Sequence, residues 1–86
     1  MKANPNPFVS NYYSILEIIN KYETTVSGNT FSPVLLDEIA RDLDTTRQNI
    51  SKQMDYLVEN GYVERLIKGR WKVTKKGKEV IKKYSL

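Results

Sequence analysis

The chain is 86 residues long, with 40% hydrophobic and 28% charged residues, no cysteine and no histidine. That length supports one small domain with one modest core, and the composition is that of a soluble globular protein. The missing side chains exclude thiolate and imidazole metal sites, Ser-His-Asp triads, Cys-His pairs and disulfide staples.

No apolar run approaches membrane-spanning length, and the leading "MKANPNPF" lacks the apolar stretch of a signal peptide, so the expected location is the cytoplasm. The 10 carboxylates are scattered singly, and no Gly-rich phosphate loop occurs. The expectation is a protein that is not an enzyme, with no cofactor, no metal and no membrane partner. Its stability must come from packing or from oligomerisation.

The net charge of +4 is unevenly spread. Residues 1–43 carry 3 basic and 5 acidic side chains, a net of −2, whereas residues 44–86 carry 11 and 5, a net of +6. Between Lys68 and Lys83 there are 8 basic residues and one acidic, Glu79. Such asymmetry fits a polyanionic partner for the carboxy-terminal half. It also fits a plain solvated, Lys-rich surface of the kind found in thermophile proteins.

Residues 1–6 read as a flexible lead, and residues 7–86 as one domain. Asn6-Pro7 has the form of a helix start, and the first helix is expected to reach Tyr22 or Glu23. Phe8, Tyr12, Ile15, Ile19 and Tyr22 recur at helical spacing. Val9, Tyr13 and Leu16 widen that face on one flank and Ile18 on the other, more than one neighbouring layer needs. "TTVSGNT" then breaks the helix.

A second helix follows in "FSPVLLDEIARDL", with Ser32 as cap, Pro33 in the first turn and Leu35, Leu36, Ile39 and Leu43 buried. It ends near Leu43-Asp44. Thr45-x-x-Gln48 fits a capping box for the third helix, with Thr46 as the alternative cap. Ile50, Met54, Leu57 and Val58 should face inward, and Gly61 should stop the helix. "YVERLI" and "RWKVT" are short strands joined by a two-residue link, Lys68-Gly69. Trp71 and Val73 share a face, and Trp71 is expected in the core rather than stacked on a base. Thr74 then caps a basic helix with Val80, Ile81 and Tyr84 as its apolar positions.

The expected fold is mainly α with a small β-hairpin (α+β), a winged helix-turn-helix in the order α-(short β)-α-α-β-β-α. The helix-turn-helix covers about residues 33–60, the wing about 62–73 and the last helix about 74–85. Two helices separated by so few residues cross steeply and leave the second protruding. In that geometry the second helix enters the DNA major groove, which just admits a helix.

Residues 30–81 resemble the winged helix-turn-helix domains of MarR-like prokaryotic transcriptional regulators. The matching stretches are "LLDEIARDLDTTRQNISKQMDYLVENGYVER" and "WKVTKKGKEVI". This chain has Asp44 where family members often carry Gly, and its wing tip, Lys68-Gly69-Arg70, is short. Full MarR proteins have further helices for dimerisation and effector binding, and the chain is too short for all of them.

The resemblance implies that Thr46, Arg47, Gln48, Asn49, Ser51 and Lys52 face DNA. Their chemistry agrees: Arg pairs with guanine, Gln or Asn with adenine, and hydroxyls and Lys with phosphates. The plainer explanation is an exposed helix start, where Thr and Asn are favoured anyway. Lys68 and Arg70 are the wing contacts, supported by Arg65 and Lys72; the alternative is a charged edge that resists aggregation. The lysines at 75, 76, 78, 82 and 83 either touch phosphates or solubilise the last helix.

Terminal helices in this family commonly build a two-fold dimer. Tyr13, Leu16, Ile18, Val80, Ile81 and Tyr84 would form it, or would simply close the monomer core. The expected function is therefore sequence-specific double-stranded DNA binding by a small homodimeric transcriptional regulator. Rival readings are a winged-helix protein–protein interaction module and a plasmid or viral replication or partition protein. Lysine, isoleucine and tyrosine usage suggests an archaeal or viral source.

Overall fold

The structure, a computed structural model, describes residues 12–84, with only the backbone of Lys68. The expected start at Asn6-Pro7 and the side chains of Phe8 and Val9 lie outside the described residues. Four helices and two hairpins follow one another: α1 (Tyr13–Lys21), β1 (Thr24–Val26), β2 (Asn29–Phe31), α2 (Leu36–Asp42), α3 (Arg47–Glu59), β3 (Val63–Arg65), β4 (Trp71–Val73) and α4 (Lys75–Tyr84). This is the expected α+β winged helix-turn-helix, with a complete extra hairpin in place of a short strand.

That hairpin is "TTVSGNTF". Ser27 and Gly28 both take positive φ, 53° and 81°, the backbone of a tight turn whose twist matches its strands. Thr24 pairs with Phe31, Thr25 with Thr30 and Val26 with Asn29. The Thr25 and Thr30 hydroxyls meet at 2.9 Å. Thr24, Thr25 and Val26 before Ser-Gly, and Asn29, Thr30 and Phe31 after it, carry the signal of a hairpin, not merely of a break.

Ser32 is not a helix cap. It is fully buried, and its backbone makes two bonds to Trp71: its N–H donates to the Trp71 carbonyl (2.6 Å) and its carbonyl accepts from the Trp71 N–H (3.0 Å). This bridge joins the first hairpin to the wing. With Ser32 drawn into the sheet, α2 begins three residues later than its expected cap would allow. Leu35 takes the cap position but has no side-chain acceptor, and the Glu38 carboxylate accepts the Leu35 N–H at 2.8 Å instead. Val34 is buried while Leu35, expected in the buried stripe, is 56% exposed; Ile39 is buried and Leu36 and Leu43 pack against the core as expected.

The core lies where α1, α3 and the wing meet. Ile15, Leu16 and Ile19 of α1, Ile39 of α2, and Ile50, Met54 and Leu57 of α3 are fully or almost fully buried. Val63, Trp71 and Val73 close it from the wing. Trp71 is thus a core residue as expected. Leu16 belongs to this core and has no surface to offer a second subunit.

The wing link is a three-residue 3-10 turn, Ile67–Gly69, rather than the expected two-residue link. The Leu66 N–H donates to the Arg70 carbonyl (2.8 Å), closing the loop, and Gly69 supplies the left-handed residue at φ 71°. Thr74 caps α4 as expected, accepting the Gly77 N–H at 3.1 Å. Gly77 is buried against the Tyr62 carbonyl and the Val73 side chain, where a Cβ would collide with both.

Replacing an interior helix glycine by alanine ordinarily stabilises by about 1 kcal/mol. Here Gly77→Ala should instead destabilise, by about 1–3 kcal/mol of overpacking, because backbone cannot yield as a side-chain tip can. Thermal or urea denaturation checks the sign: a gain in stability would show that α4 does not approach Tyr62 so closely.

Candidate nucleic-acid interface

The joint between α2 and α3 is made by a left-handed residue. Asp44 has φ 55°. Its N–H donates to the Arg41 carbonyl (3.3 Å), and the next N–H, of Thr45, reaches back to Ala40 (2.9 Å). These are the two bonds of a Schellman ending, and they turn the chain sharply out of α2. Gly61 ends α3 in the same way, at φ 80°, with its N–H on Val58 and that of Tyr62 on Leu57.

α3 then starts at Thr46, whose extended backbone and hydroxyl, accepting the Asn49 N–H at 3.1 Å, make the cap. The Thr45–Gln48 capping box is not the one used. Instead the Thr45 hydroxyl accepts from the Asn49 side-chain amide at 3.0 Å. Asn49 therefore has its amide N–H₂ turned back to secure the turn, although it remains exposed.

Thr46, Arg47, Gln48 and Lys52 are exposed, and Ser51 is half-buried. Gln48 and Lys52 stand on the side of α3 away from Ile50, Met54 and Leu57, while Thr46 and Arg47 form the exposed start of a helix about 20 Å long. Arg47 Nε lies 3.4 Å from Asp37 Oδ1 of α2, with both side chains about two-thirds exposed (68% and 65%). An ion pair so solvated contributes at most about 1 kcal/mol, so the guanidinium can exchange partners readily.

The chain reverses at Gly61, so β3 runs back beside α3. Arg65 marks the contact, donating to Asp55 at 2.7 Å while its guanidinium stands 5.4 Å from the Trp71 ring centre. Arg65 is the last residue of β3, and beyond it Leu66 leads directly into the turn at the wing tip. Arg70 lies 4.4 Å over the Phe31 ring, bracing the wing against the first hairpin. Lys72 is exposed on β4 opposite Glu64, and Lys68 is the middle residue of the tip. The outer face between the two hairpins is a concavity of about 780 Å³ that includes Val26, Phe31, Ile67, Arg65, Arg70 and Lys72.

The lysines of α4 divide into two groups. Lys76 donates to the Asn60 carbonyl at 2.8 Å, serving the end of α3, and Lys78 pairs with Glu23 at 3.2 Å. Lys75, Lys82 and Lys83 are exposed. Glu23, whose side chain is only 9% exposed, also accepts the Val73 N–H at 3.1 Å. It clips α4 and β4 to the end of α1, a role the sequence did not disclose, because its partners lie 50 and 55 residues away.

Of the residues expected at a dimer interface, Leu16 is buried, as described above. Tyr13 meets Tyr84 edge-on with ring centres 6.5 Å apart. Ile18, Val80 and Ile81 are partly buried against the core and leave an apolar remainder along the α1–α4 seam.

Two substitutions test the turn. Asp44→Gly should leave stability within about 0.5 kcal/mol, since relief of the left-handed backbone is offset by a freer unfolded chain. Asp44→Val should cost about 1–2 kcal/mol. Equal melting of the two variants would remove the left-handed residue from the account of this turn.

The sequence matches no protein-family model and no curated protein. Among solved structures, the fold is similar to the reduced (FeII) CO-sensing protein from R. rubrum, with a TM-score of 0.70 at 18% identity over 88% of this chain and 38% of that one. It is also similar to a CRP/FNR-family transcriptional regulator from Thermus thermophilus, with a TM-score of 0.62 at 20% identity over 86% of this chain and 40% of the other. The chain thus spans about two-fifths of the length of either protein. The family-level resemblance read from the sequence, to MarR-like regulators, is not supported by these matches. At such identities the likeness speaks for the architecture: the chain has a winged helix-turn-helix fold.

Proposed function

We propose that the protein binds double-stranded DNA with sequence specificity, placing α3 in the major groove and the wing on the flanking backbone. The observation that carries this reading is the exposed polar start of α3, with Thr46, Arg47, Gln48, Asn49 and Lys52 open to solvent beside a hairpin whose sequence bears Arg65, Lys68, Arg70 and Lys72. Arg47 and Gln48 have the donors to read bases, while Thr46, Ser51, Lys52 and the wing cations suit phosphates. Asn49, committed in part to Thr45, contributes through the turn and its carbonyl oxygen. The action is occupancy of a promoter by a small transcriptional regulator in the cytoplasm, with no catalytic step.

The protein acts as a homodimer in this reading. The α1–α4 seam, with Tyr13, Ile18, Val80, Ile81 and Tyr84, is the surface that joins two copies. A two-fold pair would present two α3 helices to half-sites about 34 Å apart. A replication or partition role would use the same groove chemistry. A protein–protein module is the second reading, and it draws on a different patch: Tyr22 and Leu35, 46% and 56% exposed, beside Pro33 and Glu38.

Titration against a pool of random duplex DNA at two salt concentrations, with sequencing of what is retained, decides among these. Enrichment of a palindrome with salt-sensitive affinity supports a dimeric, specific binder. Salt-sensitive binding without enrichment would make the protein a nonspecific one, and no binding by folded protein would favour the Tyr22–Leu35 surface.

On the enriched site, Arg47→Ala should cost about 1–3 kcal/mol and lose less on random DNA. Lys68→Ala should weaken both alike, with the salt slope falling by about 1. Equal losses for Arg47→Ala on both DNAs would reassign that residue to the phosphates.

A further inference from the structure

The tip of the wing carries an apolar residue where a cationic hairpin has no packing use for one. Ile67 is 77% exposed, the most exposed large hydrophobic side chain among the described residues. It opens the 3-10 turn Ile67–Gly69, with Lys68 and Arg70 close behind it in the chain. The turn is closed by the Leu66–Arg70 backbone bond, and Arg70 is braced on Phe31. Ile67 is therefore held on a firm platform. Its β-branch also restricts it to few rotamers, so little side-chain entropy is lost on insertion.

An exposed isoleucine among cations matches the chemistry of a wedge. Proteins that reach the minor groove insert apolar side chains between base steps and hold the backbone on either side with Lys or Arg. The wing is tied to α3 through Arg65 and Asp55, so a duplex that received α3 would have the tip as a neighbour.

We infer that Ile67 is an apolar wedge that enters the minor groove next to the α3 site and partly unstacks one base step. This deepens the DNA-binding reading and rests on it. The preferred step would be pyrimidine–purine, TA or CA, which unstacks most easily. Sequence preference would then extend to a step that no polar side chain reads. Bending the duplex there would bring its backbone toward Arg70 and Lys72.

The test uses the full chain and the duplex enriched in the selection above, labelled at both ends for energy transfer and carrying 2-aminopurine at steps flanking the α3 site. Wild type should shorten the end-to-end distance and raise 2-aminopurine fluorescence at one step. Ile67→Ser, which should melt as wild type because the residue packs on little, should lose both signals and bind the site roughly tenfold more weakly. Ile67→Leu should retain both.

If wild type binds the duplex without bending or unstacking it, or if Ile67→Ser behaves as wild type, the wedge is overturned while DNA binding stands. Ile67 would then be left as part of the concavity it shares with Val26 and Phe31. If wild type binds no duplex at all, DNA binding itself fails and the wedge fails with it.

Discussion

The hydroxyl of Thr74 is the point on which the geometry of the molecule turns. It donates to the Gly61 carbonyl at 2.5 Å and accepts the Gly77 N–H at 3.1 Å, while the Thr74 N–H donates to the Tyr62 carbonyl at 3.0 Å. One residue thereby joins the end of α3, the start of β3, the end of β4 and the start of α4. The bare face of Gly77 lets α4 come down onto Tyr62 without a Cβ in the way. Had a bulkier residue stood there, the last helix would lift and the wing would lose its angle to α3. A reading helix and a wing can act on one ligand only if that angle is fixed, so the site depends on a joint some distance from it.

The other half of the geometry comes from two Schellman endings, at Asp44 and Gly61, one before α3 and one after it. The first points the chain out of α2 and starts α3 at a steep crossing. The second turns it back so that β3 lies alongside. Both rely on a left-handed residue. Glycine adopts that backbone freely, and aspartate tolerates it better than most residues with a side chain. The turn before α3 is also the one that Thr45 and Asn49 reinforce with a side-chain bond, which compensates for the less permissive residue.

Local rules reached a good part of this. The spacing of Ile50, Met54 and Leu57, the stop at Gly61, the cap at Thr74 and the buried Trp71 follow from neighbours within a turn or two of helix or one pleat of strand, whereas Thr46 reads only as the alternative to the Thr45–Gln48 box as the cap of α3. What escaped depends on distant partners. Ser32 reads as a helix cap until Trp71 takes its backbone. Leu35 leaves the buried stripe because that bridge delays α2. Leu16 reads as surplus on a wide helix face until the folded chain packs it into the core. Glu23 and Gly77 carry no local period at all, and their roles exist only once α4 has docked. The exposed residues of α3 were identifiable by type and position. The commitment of Asn49 to Thr45 and of Arg47 to Asp37 required the three-dimensional turn.

The ion pairs Arg47–Asp37 and Arg65–Asp55 have one more consequence. Both of these arginines already carry a counter-charge supplied by the fold rather than by the buffer. When a phosphate or a guanine takes the guanidinium, the group released is a tethered carboxylate, which stays nearby. Fewer free ions are then liberated than the number of cations engaged, and the entropy of their release shrinks accordingly. Random DNA, offering only phosphates, would have to compete with these resident carboxylates at each arginine. A site that also presents guanine acceptors has more with which to displace them. The two aspartates would thus act as a threshold, trading breadth of binding for discrimination.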